Sequence, residues 1–429
     1  MLKLKCTLDD YKQYFSPAMY KTTDLMIERG KGAYVYTTDG EEYLDFVQGI
    51  AVEALGHAHP KVVKAIQEQV EKLLTASFNL VWYPTSVEFG RRLAEKAPEG
   101  LDTIFFSNGG AEAVDTALKA ARYYTNRPGI IAFRGSFHGR TFGAASVTGS
   151  SAKYRKNYEP LVGSVYFTPY PYCYRCPYNT TKDKCSMECF EELERIFEYL
   201  IPPENVGSII MEPVMGEGGY IVPPKAYLEK LRKLCDDNGI VLIFDEIQAG
   251  YGRTGKMWAS QNFGVVPDLM TSGKAIAGGL PMSAVIGKRE ILGNWPAGAH
   301  GTTFGGNPVC AAAGLAVLDA FEEEHVLENC QKQGEYLMSQ LLEMQKKYPV
   351  MGDVRGLGLM VGVEFVHPED QSPNPEAYNK IWKYCFDHKY LILGCGVHHN
   401  GMRFASPLNV KKEEIDKALG ILEGALQSL

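Results

Sequence analysis

The sequence predicts an α/β protein whose large domain has three layers, with a mostly parallel sheet between two layers of helices. From residue 102 onward, short apolar segments alternate with helical segments, which is typical of parallel βα units. The strand segments read TIFFS, GIIAF, SVYFT, SIIME, VLIFDE, DLMTS and SAVIG. With 429 residues, the chain is too long for one ordinary core and fits two domains.

The two chain ends are expected to pack together as a small α+β domain. Near the N-terminus, alternating residues flank Asp39-Gly40, a dipeptide that favours a hairpin turn. Near the C-terminus, a strand pair is expected around residues 356–365 and a last helix from Lys411 onward. We therefore predict a large domain at residues 61–306. The small domain is predicted to consist of residues 1–60 and residues 307–429.

Composition and charge argue against several classes of protein. Hydrophobic residues make up 45% and charged residues 22% of the chain, as in an ordinary globular protein, so disorder is not expected. A net charge of −7 without a basic block argues against nucleic acid as a partner. No apolar run approaches the roughly 20 residues that span a bilayer, and the first residues lack the apolar core of a secretory signal. Ten cysteines without such a signal indicate a reducing compartment, and the cytoplasm is the expected location.

An acid and a lysine are expected at the ends of two neighbouring strands. The apolar run 240–244 ends in Asp245 and Glu246, and the run 266–271 leads to Lys274. Open α/β sheets place their ligands at the carboxyl ends of the strands. Pyridoxal phosphate requires a lysine that forms a Schiff base and an acid that keeps the pyridine nitrogen protonated, so these two residues are candidates. The alternative is that both side chains are merely solvated at strand ends.

Two glycine-rich segments are candidates for binding the cofactor phosphate. Gly109, Gly110 and Ala111 follow the strand TIFFS and open a helix, where free N–H groups and the helix dipole favour an anion. The alternative is an ordinary glycine turn into a capped helix. In the segment HGTTFGGN, the hydroxyl of Thr303 and neighbouring N–H groups can also bind phosphate.

Aromatic and charged residues at other strand ends are candidates for the rest of the cleft. Phe137 can stack on a flat cofactor, and Arg140 offers a planar fork for a carboxylate. Glu217 can hold an arginine in a bidentate pair, and Arg403 can present a second fork to a substrate. The alternatives are that the Phe137 ring belongs to the core and that Glu217 is a solvated loop acid. Arg140 and Arg403 would then be surface arginines.

Four cysteines form the pattern C-x2-C-x8-C-x3-C between two predicted elements, and they are Cys173, Cys176, Cys185 and Cys189. Four thiolates at this spacing can hold a structural zinc ion. The alternative is four reduced thiols in a surface excursion. We assign no metal ligand in the catalytic cleft, and the sequence leaves open whether the four cysteines bind a structural metal.

Taken together and in order, these segments resemble the class III aminotransferases of the fold-type I pyridoxal phosphate enzymes. Within the class, the 4-aminobutyrate aminotransferases and related amino-acid racemases are the most similar. The resemblance covers essentially the whole chain, and its matching stretches are GIAVEALGHAHP, GGAEAV, FHGRT, EPVMGEGG, FDEIQAGYGRTGK, GKAIAGGLP and TTFGGNP.

The resemblance implies a role for each site residue. Lys274 would form the Schiff base and carry the proton between the substrate α-carbon and the cofactor C4′ atom, and Asp245 would pair with the pyridinium nitrogen. Glu217 and Arg403 would form a switch pair, closed for an ω-amine donor and open for a dicarboxylate acceptor. The residues implied to bind the cofactor are Gly110, Ala111, Phe137, His138, Asp245, Gln248, Lys274 and Thr303, the last from the other subunit. The residues implied to bind the substrate are Ile50, Arg140, Glu217 and Arg403.

The implied reaction is transamination between an ω-amino acid, 4-aminobutyrate or a similar compound, and 2-oxoglutarate by a ping-pong mechanism. The implied assembly is a homodimer, with a tetramer as the larger alternative. A racemase or epimerase on the same frame is the main alternative, and a non-catalytic cofactor-binding protein is a third. Gly109-Gly110 and Gln48 depart from the common pattern of the class, which leaves the amino donor open.

Overall fold

The structure, a computed structural model, describes residues 7–180 and 184–429. Its helices are α1 (Leu8–Tyr14), α2 (Gln48–Ala51), α3 (Pro60–Val70), α4 (Pro84–Lys96), α5 (Gly110–Thr125), α6 (Phe142–Val147), α7 (Glu188–Tyr199), α8 (Lys225–Asn238), α9 (Arg289–Leu292), α10 (Pro308–Glu323), α11 (Val326–Lys347), α12 (Pro375–Asp387) and α13 (Lys412–Gln427). Its strands are β1 (Ile27–Lys31), β2 (Tyr34–Thr37), β3 (Glu42–Asp45), β4 (Thr103–Ser107), β5 (Gly129–Arg134), β6 (Val165–Pro169), β7 (Val206–Met211), β8 (Val241–Asp245), β9 (Leu269–Ser272), β10 (Ser283–Gly287), β11 (Met351–Leu357), β12 (Met360–Phe365), β13 (Tyr390–Leu391), β14 (Leu393–Cys395) and β15 (Gly401–Phe404).

The central sheet has the strand order β4-β10-β9-β8-β7-β5-β6 within the described chain. Strands β6, β5, β7, β8 and β9 pair in parallel, which confirms the predicted mostly parallel sheet. Strand β10 is antiparallel to both β9 and β4, although its apolar run was expected to continue the parallel pattern. The reason is the short connection: only residues 273–282 separate β9 from β10. A parallel crossover needs about a dozen residues or more.

Alternating residues of the buried strands belong to two separate cores. In β8, Val241 and Ile243 pack into a cluster with the alanine-rich face of α5, whereas Leu242 and Phe244 pack into the cluster on the opposite face. Successive side chains of a strand point to opposite faces, so a strand that is apolar throughout must be covered on both sides. This arrangement confirms the three-layer architecture.

The two chain ends share a sheet. Strand β3 pairs in parallel with β13, so the sheet β1-β2-β3-β13 joins residues from both ends of the chain. A second sheet, β11-β12-β15-β14, is antiparallel and carries Arg403 on β15. These pairings support a small domain built from both ends, and the boundaries at residues 60 and 306 stay a prediction.

Strands β8 and β9 bring Asp245 and Lys274 to one edge of the sheet. The two strands are neighbours, with Asp245 opposite Thr271 in the register. The second strand begins at Leu269 rather than Val266, because Pro267 lacks the N–H group that a central strand needs.

Among residues 7–180 and 184–429, no helix combines the length and the apolar character that crossing a membrane requires.

Candidate active site

Lys274 lies immediately after the end of β9, in a short turn with a left-handed backbone. Its φ angle of 47° lies in a region that residues other than glycine seldom occupy, which is typical of functional sites. Burial, and after it the positive charge of Arg403, lower the pKa of its amine from 10.5 to about 8. The amine therefore becomes neutral far more readily than that of an ordinary lysine.

Asp245 is held in place by three hydrogen bonds at the end of β8. Its Oδ1 atom accepts from the Thr271 hydroxyl at 3.0 Å and from the Ile247 N–H at 3.1 Å. Its Oδ2 atom lies 2.7 Å from Nδ1 of His138, which must carry the proton because a carboxylate only accepts. Asp245 is 4% exposed, so this carboxylate presents its charge within a cleft of low polarity.

Glu212 joins the segments FHGRT and EPVMGEGG at the floor of the cleft. Its carboxylate accepts from the Phe137 N–H at 2.9 Å and from the Gly216 N–H at 2.7 Å. Burial raises the pKa of this carboxyl to about 7. The sequence analysis assigned no role to Glu212, and its two hydrogen bonds show that it positions the backbone of both segments.

Phe137, Arg140, Tyr154 and Glu217 form one connected group at the mouth of the cleft. The rings of Phe137 and Tyr154 pack edge to face with centroids 5.3 Å apart, and the Arg140 guanidinium lies over both rings. The Tyr154 hydroxyl donates to Oε1 of Glu217 at 2.7 Å. Sequence reasoning missed Tyr154, because it lies in the segment 151–160, which has no strand or helix periodicity.

Arg403 is buried on β15, and it has no carboxylate partner among the described residues. Its Nη1 atom donates to Oε1 of Gln248 at 3.5 Å, and its guanidinium lies 5.9 Å from the centre of the Tyr220 ring. Its Nε atom is buried with no hydrogen-bond partner in the described residues. The expected contact between Glu217 and Arg403 is not formed, because Glu217 is bound to Tyr154 instead. The structure therefore has the open arrangement of the two residues.

The first turn of α5 has the features of an anion site. Gly109 is the residue before the helix, and a Cβ atom added there would meet nothing within 4 Å. At Gly110, a Cβ atom would lie 3.0 Å from the Ile247 side chain, so a larger residue there would require Ile247 to shift. The N–H groups of Gly110 and Ala111 belong to the first turn, where no helix carbonyl is available to them.

Two predicted site residues lie away from this cluster. Thr303 is exposed, and the adjacent Thr302 accepts a hydrogen bond from Asn108 at 2.9 Å. Within the described chain, no contact joins Thr303 to the helix start at Gly110. Ile50 is 47% exposed and lies in α2, a short turn with a left-handed backbone.

The described residues of the four-cysteine excursion form no group that could hold a metal ion. Burial raises the pKa of Cys189 to about 11, and the nearby thiols Cys185, Cys173 and Cys176 add to this effect, so the four sulfurs lie in one region. In the part of the chain that the structure describes, no three Cys, His, Asp or Glu side chains are grouped so that they could hold a metal ion. Residues 181–183, inside the excursion, lie outside the described residues.

Comparisons with known proteins agree on one family. The family model Aminotransferase class-III matches residues 15–426. The isoleucine 2-epimerase of Lentilactobacillus buchneri is 37% identical over 98% of this chain and 94% of its own length. The probable 4-aminobutyrate aminotransferase of Bacillus subtilis is 37% identical over 97% and 96%. The crystal structure of an amine transaminase from an uncultivated Pseudomonas species, in its pyridoxal phosphate-bound form, has a TM-score of 0.88 at 31% identity and covers 97% of this chain and 98% of its own. The chain therefore belongs to the class III aminotransferase family and is a pyridoxal phosphate-dependent enzyme.

Proposed function

We propose that the enzyme transfers an amino group from an ω-amino acid, 4-aminobutyrate or a similar compound, to 2-oxoglutarate. The observation that carries this proposal is a pair of arginines, Arg140 and Arg403, which donate to a tyrosine hydroxyl and to a glutamine amide oxygen and form no ion pair with a carboxylate in the described residues. A dicarboxylate acceptor requires two such cationic groups. The similarity to the probable 4-aminobutyrate aminotransferase supports the same choice of donor.

The residues present fit pyridoxal phosphate. The buried Nε2 atom of His138 and the buried Nε atom of Arg403 lack partners in the described chain, so the cleft contains polar groups that await a ligand. The helix start at Gly110 and Ala111 offers N–H groups to a phosphate, and the half-buried Phe137 offers a ring face.

The bound cofactor would act as an electron sink that stabilises negative charge on the substrate carbon. Asp245 would hold a positive charge on the pyridine nitrogen, because its buried carboxylate favours a protonated neighbour. Lys274 would hold the cofactor aldehyde covalently and, once released, would remove and return the proton at the substrate carbon. Gln248 would contact the phenolic oxygen of the cofactor.

The two arginines would bind carboxylates at different distances from the reacting carbon. Arg140 lies at the mouth of the cleft and would bind a carboxylate far from the reacting carbon. Arg403 acts electrostatically on Lys274 and would bind a carboxylate close to it. Ile50 would line the mouth, where its exposed side chain can contact the methylene groups of the donor.

The pKa of Lys274 predicts how cofactor binding depends on pH. Only the neutral amine attacks an aldehyde, so the rate at which the cofactor-free protein binds pyridoxal phosphate should rise with pH and level off above about 8. With an ordinary lysine, the binding rate would level off only near the usual lysine pKa of 10.5. Stopped-flow absorbance measures this rate, and the Arg403→Gln variant should move the midpoint to higher pH. A midpoint near 10 in the unaltered protein would contradict the assigned environment.

We also propose a homodimer in the cytoplasm. Four large apolar side chains are more than half exposed: Leu74, Leu80, Trp82 and Phe304. Trp82 lines a groove whose other lining residues include Asn79, next to Leu80, and Gly305, next to Phe304. Such a surface is unusual for a monomer and is typical of an interface. A second subunit there would also explain why Thr303 is exposed, since it would reach the partner's phosphate site.

The dimer proposal predicts the effect of a charge at this surface. The unaltered protein should elute at about twice its subunit mass of 47.6 kDa, and Leu80→Asp should shift it toward the monomer because a carboxylate cannot be buried without a partner. Light scattering measures both masses. Tyr199→Asp, a matched change at an exposed aromatic residue on α7, should leave the dimer intact. A monomeric unaltered protein would exclude the proposal.

A racemase or epimerase is the second candidate, and the isoleucine 2-epimerase relative favours it. One experiment distinguishes transamination from racemisation. The cofactor-loaded enzyme is incubated with 4-aminobutyrate and, separately, with single L-amino acids, each with and without 2-oxoglutarate. Glutamate formed only in the presence of the acceptor supports transamination. D-isomers formed without an acceptor would assign the enzyme to the second candidate.

A further inference from the structure

Glu217 and Arg403 act on the same amine but do not touch each other. The charge of Arg403 lowers the pKa of Lys274 and the charge of Glu217 raises it, after the larger effect of burial. Both side chains are therefore close enough for their charges to act on Lys274, although they belong to different elements. Opposite charges in one cleft of low polarity attract each other strongly, so the open arrangement needs a group that holds them apart.

Tyr154 is that group. Its hydroxyl donates to Oε1 of Glu217 at 2.7 Å, a short distance that is typical of a hydrogen bond to a charged acceptor. Arg140 donates to the same hydroxyl oxygen at 3.4 Å, so the hydroxyl proton is left for Glu217. The Tyr154 ring is held in turn by its edge-to-face contact with Phe137.

We propose that Tyr154 sets substrate preference by holding Glu217 away from Arg403, which keeps Arg403 available to a substrate carboxylate. This inference rests on the proposed function, because it concerns the balance between the two substrates of that reaction. When Glu217 is bound to Tyr154, neither arginine is paired with a carboxylate of the described chain, and both can bind a carboxylate of the acceptor. With Glu217 on Arg403, the site would present one free arginine and suit a donor that carries a single carboxylate.

Tyr154 is a positioning residue, since it acts through Glu217. Removing the hydroxyl in Tyr154→Phe keeps the ring packed on Phe137 and removes only the donor. Glu217 is then expected to pair with Arg403. The KM for 2-oxoglutarate should rise about tenfold, as expected for the loss of one hydrogen bond to a charged group, and the KM for 4-aminobutyrate should not rise.

The double variant of Tyr154→Phe with Glu217→Gln tests whether Tyr154 acts through the charge of Glu217. If Tyr154 acts through the Glu217 charge, Tyr154→Phe should change the KM for 2-oxoglutarate by less than about twofold in the Glu217→Gln background. An equal rise in both KM values, or a tenfold rise that persists in that background, would overturn the inference.

A second readout does not depend on turnover. A paired Arg403 no longer lowers the pKa of Lys274 to the same extent, so the midpoint of cofactor binding near pH 8 should move upward in Tyr154→Phe. Absence of 2-oxoglutarate turnover in the unaltered enzyme would overturn the proposed function. An unchanged midpoint in Tyr154→Phe would instead overturn the role of Tyr154.

Discussion

Lys274→Ala is expected to lower the turnover of 4-aminobutyrate and 2-oxoglutarate by about 10⁴-fold or more. The variant loses both the covalent link to the cofactor and the group that moves the proton, and general acid–base catalysis alone contributes about 10²- to 10⁴-fold. The visible absorbance of the lysine-bound cofactor should also disappear. Steady-state kinetics and absorbance spectra of the purified variant measure the two effects.

The control for this variant is Lys225→Ala, which removes an exposed lysine of α8 whose ion-pair partner within the described residues is Glu229. Its turnover should remain within about twofold, since surface ion pairs contribute little. Added small primary amines should restore part of the Lys274→Ala activity, because they replace the missing proton carrier. Retained turnover in Lys274→Ala without added amine would contradict the assigned mechanism.

Asp245→Asn is expected to lower kcat by about 10²- to 10³-fold. The amide keeps the shape of the carboxylate and an acceptor for Thr271 and the Ile247 N–H, but it removes the negative charge. Without that charge, the pyridine nitrogen is less readily protonated, and the carbanion is less stabilised. Steady-state kinetics should show a loss in kcat that exceeds any change in KM.

The matched control for Asp245→Asn is Thr271→Val. This change removes the hydroxyl that donates to Oδ1 of Asp245 at 3.0 Å but leaves the carboxylate charged. We expect less than about a tenfold loss in kcat, because orientation by His138 and the Ile247 N–H remains. Equal losses of kcat in Asp245→Asn and Thr271→Val would show that catalysis does not depend on the charge of Asp245.

The adjacency of Asp245 and Lys274 was accessible from the sequence. Each follows an apolar run of strand length, and parallel strands that follow each other along the chain are usually neighbours. The antiparallel direction of β10 was not accessible from its apolar pattern, which is the same for either direction. It follows from the length of the connection after β9.

The contact between Tyr154 and Glu217 could not be predicted, because it joins two loops that are 63 residues apart. Periodicity identifies helices and strands, but it carries no information about which loop side chains meet. The resemblance to a known family supplied Glu217 and Arg403 as a pair, yet the structure shows Glu217 with another partner. Glu217 binds Tyr154 rather than Arg403 because the Tyr154 hydroxyl is a nearby hydrogen-bond donor.

The transfer of isotopically labelled nitrogen tests the proposed reaction most directly. The cofactor-loaded enzyme is incubated with 4-aminobutyrate labelled with ¹⁵N and with unlabelled 2-oxoglutarate, and the products are analysed by mass spectrometry. We predict one labelled glutamate for each 4-aminobutyrate consumed, because the amino group passes through the enzyme to the acceptor. Unlabelled glutamate only, or no glutamate together with D-isomers formed from L-amino acids in the absence of acceptor, would contradict the proposed transamination.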